Sequence, residues 1–146
     1  MSYTHISTYI GKEGEVSKDE VTKADVIALY FSAHWCPPCR SFTPVLGKFY
    51  NEVNKTKKQL EIIFVSLDQD EAQFKEYHET MPFLAIPWKG DRKGNADTLG
   101  ISGIPALLVL NKDGSVLTKN GRGDITSKSP QECVDGWVAS LKRSSL

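Results

Sequence analysis

"SAHWCPPCRSFTP", residues 32–44, places two prolines between two cysteines. Proline has no backbone N–H and a fixed φ, so regular structure tolerates it in few places. One of those places is the first turn of a helix, where N–H groups have no intrahelical partner. The pair therefore predicts a helix starting here, with Cys36 as its cap and Pro37 and Pro38 in the first two positions. Cys39 then falls on the same side as Cys36, within disulfide reach. A thiolate at Cys36 would meet the positive end of the helix dipole, the setting that makes a cysteine nucleophilic. With the proline donors missing, the N–H of Cys39 is the backbone donor expected at the Cys36 sulfur.

The flanking segments place this helix in a fold. "VIALYF" (26–31) is a continuous apolar run, the pattern of an interior, parallel-type strand covered on both faces. Cys39, Phe42, Leu46, Phe49 and Val53 recur at helical spacing after it. "EIIFVSL" (61–67) and "ALLVL" (106–110) read as two further buried strands. "DQDEAQFKEYHETM" (68–81) reads as a helix opened by the capping charges Asp68, Asp70 and Glu71. "NKDG" (111–114) is a hairpin turn, with "SVLTK" (115–119) pairing back across it. A last helix begins with Ser129 as cap, Pro130 in first position and Glu132 closing a capping box, and Val134, Trp137, Val138 and Leu141 form its apolar stripe. "GKEGEVSKDEVTKAD" (11–25) reads as a loop or ragged edge strand. The order is α/β: a central mixed sheet with helices on both faces.

Composition narrows the function. The 146 residues suit one domain, 1–146. Lysine plus arginine equals aspartate plus glutamate at 18 each, which gives no electrostatic reason to expect nucleic acid or an anionic membrane as partner. No apolar run approaches a membrane span, and the first residues, "MSYTHISTYIGKEGE", lack an apolar signal core. A reducing location, the cytoplasm, is expected. Three cysteines are too few, and an odd number, for a disulfide scaffold; a close C-x-x-C pair in a reducing compartment points to redox chemistry or metal. Zinc wants about four ligands, and beyond the pair there are only Cys133 and the unpaired His5, His34 and His78. No metal is expected. Two inert buried cysteines would fit poorly between Trp35 and Arg40, which suggest a partly exposed turn. Cys133 lies beside the stripe of the last helix and reads as core, with a regulatory disulfide as the rival reading. His34 is a polar loop residue or a tuner of the thiolate. Trp88 is core filler or substrate rim.

Three blocks in order, "YFSAHWCPPCRSFTPVL" (30–46), "EIIFVSLDQDEAQFKEY" (61–77) and "MPFLAIPW" (81–88), with "GIPALLVL" (103–110) after them, resemble the thioredoxin superfamily in its nucleoredoxin and tryparedoxin branch. The likeness runs from about residue 24 to about residue 123. It implies a thioredoxin-like fold. It also implies that Cys36 attacks, that Cys39 resolves, that Trp35 walls the site, and that the Ile104–Pro105 bond is cis with Pro105 facing the dithiol. Trp35, Pro37, Ile104 and Pro105 are then the expected substrate-binding set. Pro44 matches a kink proline of the long helix. Two positions depart from ordinary thioredoxins, which have glycine where Pro37 stands and a buried aspartate where Tyr30 stands. Tyrosine there is a habit of the tryparedoxin branch, and it removes a carboxylate as proton shuttle. Water or a carboxylate near Asp68 is the expected substitute.

The resemblance implies a protein-disulfide reductase with no resident cofactor. Its targets would be oxidised proteins such as peroxiredoxins, and its electrons would come from a separate reductase or a low-molecular-weight thiol. The cytoplasm, with the nucleus also open to it, is the implied location. A redox-gated binding module of nucleoredoxin type, acting in signalling, is the alternative. Membrane-tethered periplasmic reductases also carry W-C-x-P-C, but the apolar anchor they need is not in this sequence.

Overall fold

The computed structural model describes residues 8–11, 14–88, 100–101, 103–111 and 115–144. His5 and positions 112–114 of the expected hairpin turn lie outside them. Among the described residues seven strands and five helices run in the order β1 (Thr8–Gly11), β2 (Gly14–Ser17), α1 (Lys18–Val21), β3 (Val26–Ser32), α2 (Pro37–Val53), β4 (Leu60–Ser66), α3 (Glu71–His78), β5 (Leu84–Ala85), β6 (Ala106–Leu110), β7 (Val116–Thr118), α4 (Gly121–Ser127) and α5 (Pro130–Ser144).

The sheet order is β2-β1-β5-β4-β3-β6-β7. β3 runs parallel to β4 and antiparallel to β6, so the interior strand has one neighbour of each kind and the sheet is mixed, as expected. β6 and β7 form the hairpin, closed beside its turn by the Asn111 N–H donating to the Ser115 carbonyl at 2.7 Å. Every residue of β4 is buried, which is why its sequence shows no polar alternation.

Alternate residues of each strand feed two apolar layers. Ala28, Tyr30, Ile62 and Phe64 pack with Phe42, Leu46 and Phe49 of α2, Phe74 and Tyr77 of α3, and Val134 and Trp137 of α5. Leu29, Phe31, Ile63 and Val65 pack on the other face with Tyr9, Val21 of α1 and Ile86. Each large side chain taken fully out of water in these layers contributes about 1.5–3 kcal/mol. Segment 11–25 is more ordered than expected: it holds the edge strand β2 and then α1, capped by Ser17, whose hydroxyl accepts from the Glu20 N–H. Three short elements carry no clear signal in the sequence: β1, β5 and α4. In α4, Gly121 is required, since a Cβ there would meet the Leu107 carbonyl oxygen at 2.7 Å. At the start of α5 the carboxylate of Glu132 accepts from both the N–H and the hydroxyl of Ser129.

Cys133 is 1% exposed within the first layer, as expected of a core residue. Burial, and then the nearby Asp124 carboxylate, push its thiol up from 9.0 to about 12. A raised native value means that the unfolded chain loses this proton first, so the stabilisation is complete below pH 9 and is lost as pH rises toward 12. Cys133→Ala should cost about 1 kcal/mol at neutral pH. Between pH 9 and 10.5 wild type should lose on the order of 2 kcal/mol relative to the variant, so the gap closes and reverses, leaving the alanine protein about 1 kcal/mol the more stable. Urea midpoints at the two pH values check this, and a constant gap would show that the thiol does not titrate in this window.

Candidate active site

β3 ends at Ser32, and the chain turns once before α2 begins at Pro37. Cys36 is the N-cap, with φ −99° and ψ 109°, and Pro37 and Pro38 take the first two helical positions, as the sequence requires. The turn is closed by the Cys36 N–H donating to the Ala33 carbonyl at 3.2 Å, and the Arg40 N–H donates to the Cys36 carbonyl at 3.0 Å. The segment just after β4 holds this turn from the side. The His34 N–H donates to Asp68 Oδ1 at 2.6 Å, the Trp35 indole N–H donates to the Leu67 carbonyl at 3.1 Å, and the Leu67 N–H donates to the Ser32 carbonyl at 2.9 Å. Asp68 is therefore not a helix cap. Its second oxygen accepts from the Ser66 hydroxyl at 2.6 Å, and the cap of α3 is Asp70, which accepts from the Gln73 N–H at 2.8 Å.

Both thiols are reduced and share a small apolar nest with Ala33, Leu67 and Ile104. Cys36 is only 6% exposed and Cys39 is 0% exposed, so the cap position is more covered than a helix terminus by itself suggests. Cys36 also lacks the cap bond expected from the N–H of Cys39. Its Sγ instead lies 3.9 Å from the Ile104 carbonyl oxygen. The Ile104–Pro105 bond is cis. The Pro105 carbonyl accepts from Arg122 at 2.9 Å, and the Arg122 guanidinium lies 5.3 Å over the Phe42 ring. Trp35 is 50% exposed and Pro37 is exposed, so both face solvent beside the dithiol. Burial first, and then hydrogen bonding to Cys36, push the Cys39 thiol up from 9.0 to about 11. At neutral pH Cys39 therefore keeps its proton.

Behind Cys39 lies a set of buried hydroxyls. Ser32 Oγ is 2.7 Å from the Tyr77 hydroxyl, which is 2.6 Å from Thr43 Oγ1, which is 2.7 Å from the Tyr30 hydroxyl. Thr43 also donates to the Cys39 carbonyl at 2.9 Å. Pro44 sits inside α2. Lacking an N–H, it cannot bond the Arg40 carbonyl. Burial raises the Tyr30 phenol, so it stays neutral. His34 stacks on Tyr77 at 5.1 Å. Trp88 is half-buried and packs on Phe74 at 5.8 Å, against the edge of the first apolar layer. Among the described residues no cluster of three or more histidine, cysteine, aspartate or glutamate residues could hold a metal ion.

Several residues that shape this site escape sequence reasoning. Asp68, Ser32, Tyr77 and Arg122 act through partners far away along the chain. Only the apolar runs around Ser32 and Ser66, which predict neighbouring strands, hint that their ends meet.

With this geometry in place, comparison with known proteins is informative. Residues 24–116 match the family model described as thioredoxin-like. Nucleoredoxin of Mus musculus is 46% identical over 101 residues, covering 68% of this chain and 23% of that protein, so the chain spans about a quarter of the length of that relative. Tryparedoxin of Trypanosoma brucei brucei is 40% identical over 118 residues, covering 77% of this chain and 79% of the relative. Among solved structures, native tryparedoxin I of Crithidia fasciculata superposes with a TM-score of 0.78 at 30% identity, covering 86% of this chain and 88% of that one. Thioredoxin of Wuchereria bancrofti superposes with a TM-score of 0.75 at 38% identity, covering 91% and 94%. The strand-to-helix dithiol with a cis-proline beside it is thus accounted for: the chain belongs to the thioredoxin-like family, with relatives among the nucleoredoxins and tryparedoxins.

Proposed function

We propose that this protein is a thiol–disulfide oxidoreductase that reduces disulfides in other proteins. The observation that carries the reading is the asymmetry of the dithiol: Cys36 at the helix start, and Cys39 fully buried with its proton held to about pH 11. The Cys36 thiolate attacks one sulfur of the target disulfide, forming a mixed disulfide and expelling the other target sulfur as thiolate. Cys39 then attacks Cys36, the bond to the target breaks, and the Cys36–Cys39 disulfide forms. The target gains two electrons and leaves as dithiol. Trp35, Pro37, Ile104 and Pro105 supply the docking surface, with the Ile104 and Pro105 backbone beside the sulfurs.

The electron donor is a separate reductase or a low-molecular-weight thiol. A related tryparedoxin II has been seen complexed with glutathionylspermidine, which supports a thiol of that class. Oxidised proteins such as peroxiredoxins are the proposed targets. The reaction needs a reducing compartment, the cytoplasm or nucleus, and no described helix is long and apolar enough to cross a membrane. We take residues 1–146 to act as one thioredoxin-like unit. The 46% identity to nucleoredoxin favours a second reading, a redox-gated binding module. Multiple turnover on a protein disulfide separates the two, because a pure switch would turn over negligibly.

Cys36→Ser should abolish reduction of a protein disulfide. Cys39→Ser should accumulate a covalent adduct with the target that dithiothreitol releases, seen by intact-mass spectrometry. Full multiple turnover by Cys39→Ser would refute the resolving role.

The clamp by Asp68 gives a second expectation. Bonds to a carboxylate contribute about 1.5–3 kcal/mol each, so Asp68→Ala should lower the unfolding free energy by about 2–3 kcal/mol. It should also slow reduction by more than about tenfold as the turn loosens. Asp68→Asn keeps an acceptor for the His34 N–H and should recover part of both. Urea titration and steady-state rates measure this. An alanine variant equal to wild type in both would mean that the clamp is idle.

A further inference from the structure

A second surface borders the dithiol turn, on residues that the docking set does not use. His34, Arg40, Thr43, Pro44, Tyr77 and Thr80 line a cleft of about 290 Å³, at the small end of the range for organic ligands. Trp35, Ile104 and Pro105 are not among its walls. The exposed Arg40, Pro44 and Thr80 open it to solvent, and the buried Thr43 and Tyr77 form its floor. It lies close to the sulfurs. Arg40 stands one helical turn beyond Cys36, about 6 Å along the axis, and its N–H donates to the Cys36 carbonyl at 3.0 Å.

The cleft suits negative charge. No carboxylate lines it. Arg40 Nη1 donates to the His34 carbonyl at 2.8 Å, so the guanidinium is folded back over the turn rather than extended into water. That single bond leaves most of its N–H groups open. None of the ion pairs among the described residues involves Arg40. The floor is formed by hydroxyls and rings: the Tyr77 hydroxyl is 2.6 Å from Thr43 Oγ1, and the His34 ring stacks on Tyr77 at 5.1 Å. A guanidinium already held in place can take a carboxylate with two parallel bonds.

We propose that this cleft holds the carboxylate of the low-molecular-weight thiol that reduces the Cys36–Cys39 disulfide, which makes that donor an anionic thiol and Arg40 its specificity residue. The assignment rests on the disulfide-reductase reading above. The donor thiolate attacks Cys36 Sγ, the Cys36–Cys39 bond breaks, and Cys39 leaves as thiolate and takes a proton from solvent. A second donor thiolate attacks the donor sulfur of the mixed disulfide, and Cys36 leaves as thiolate. The donor is oxidised to its own disulfide, and two electrons enter the dithiol. Holding the carboxylate one turn from Cys36 turns a free collision into an oriented one.

Oxidised wild type and Arg40→Gln, each reduced by carboxylate-bearing mercaptopropionate and by neutral mercaptoethanol, test this. Acid quench, alkylation and intact mass give the second-order rates. The acidities of the two thiols cancel, because the same pair meets both proteins. The preference for mercaptopropionate over mercaptoethanol should fall by about fivefold in Arg40→Gln, the order of one exposed ion pair. Arg40→Lys keeps the charge without the planar fork and should recover part of the preference. In wild type, with no variant needed, the preference should also shrink as salt is raised to about 0.5 M. A preference equal in wild type and Arg40→Gln, or one that salt leaves unchanged, overturns the subsite. Equal slowing with both thiols is such a result, and would make Arg40 only a brace of the turn. An equal preference with slower reduction of an acidic protein's disulfide would assign the cleft to a target, and the donor assignment fails. Reduced wild type that leaves protein disulfides intact would overturn the reductase reading instead, and the thiol preference would still decide the subsite.

Discussion

The in-register parallel pairing of β3 with β4 is the constraint on which the site depends. Ser32 lies opposite Ser66, so the two strands end at one level. The chain leaving one strand therefore meets the chain leaving the other: the turn carrying His34, Trp35 and Cys36 on one side, and Leu67 and Asp68 on the other. Side chains along a strand alternate between faces, so a slip of one residue would turn over the faces of one strand relative to the other. Tyr30 and Phe64 would no longer share the layer beneath α2, and Asp68 would lose its reach to the His34 N–H. The buried layers fix the register, and the register fixes the active-site turn. Stability and chemistry are coupled through that single alignment.

The sequence carries most of the scaffold because its signals are local. Continuous apolar runs reveal the buried strands β3, β4 and β6, and the proline pair marks the start of α2 within a residue. What it hides is set by tertiary contact. β5 is only two residues long and is a strand only because β4 and β1 flank it. α4 reads GRGDITS, with glycines and β-branched residues that disfavour helix. It forms because Gly121 lets the backbone settle against Leu107, and because Arg122 and Asp124 find partners in Pro105 and Trp137. The dithiol and its proline neighbour were legible from spacing and resemblance. The Asp68 clamp was not, because an aspartate ahead of a helix has an ordinary local explanation as a cap, and Asp70 takes that role two residues later.

The tight cover of the dithiol has a further consequence. On the proposed reductase reading, Cys36 at 6% exposure would admit a target that brings a sulfur down between Trp35 and the Ile104–Pro105 backbone. An extended segment suits that slot better than a folded surface, since its backbone groups could pair with main chain already held in place. Arg122 holds the Pro105 carbonyl from the opposite side, so that part of the slot is fixed before a target arrives. A preformed site loses less freedom on binding and keeps more of its contact energy.

Burying Cys39 keeps its proton in place, and the same burial removes the water that would take it. A buried carboxylate could solve this, but a charge in a dry interior costs several kcal/mol unless it is well paired. Hydroxyls avoid that cost. Each is donor and acceptor at once, so a row of them stays neutral while a proton crosses it. The row here is fully engaged: Tyr30 and Tyr77 both meet Thr43, which donates to the Cys39 carbonyl, and Ser32 closes the far end. A satisfied polar network costs little in a core, whereas a half-satisfied one would weaken it.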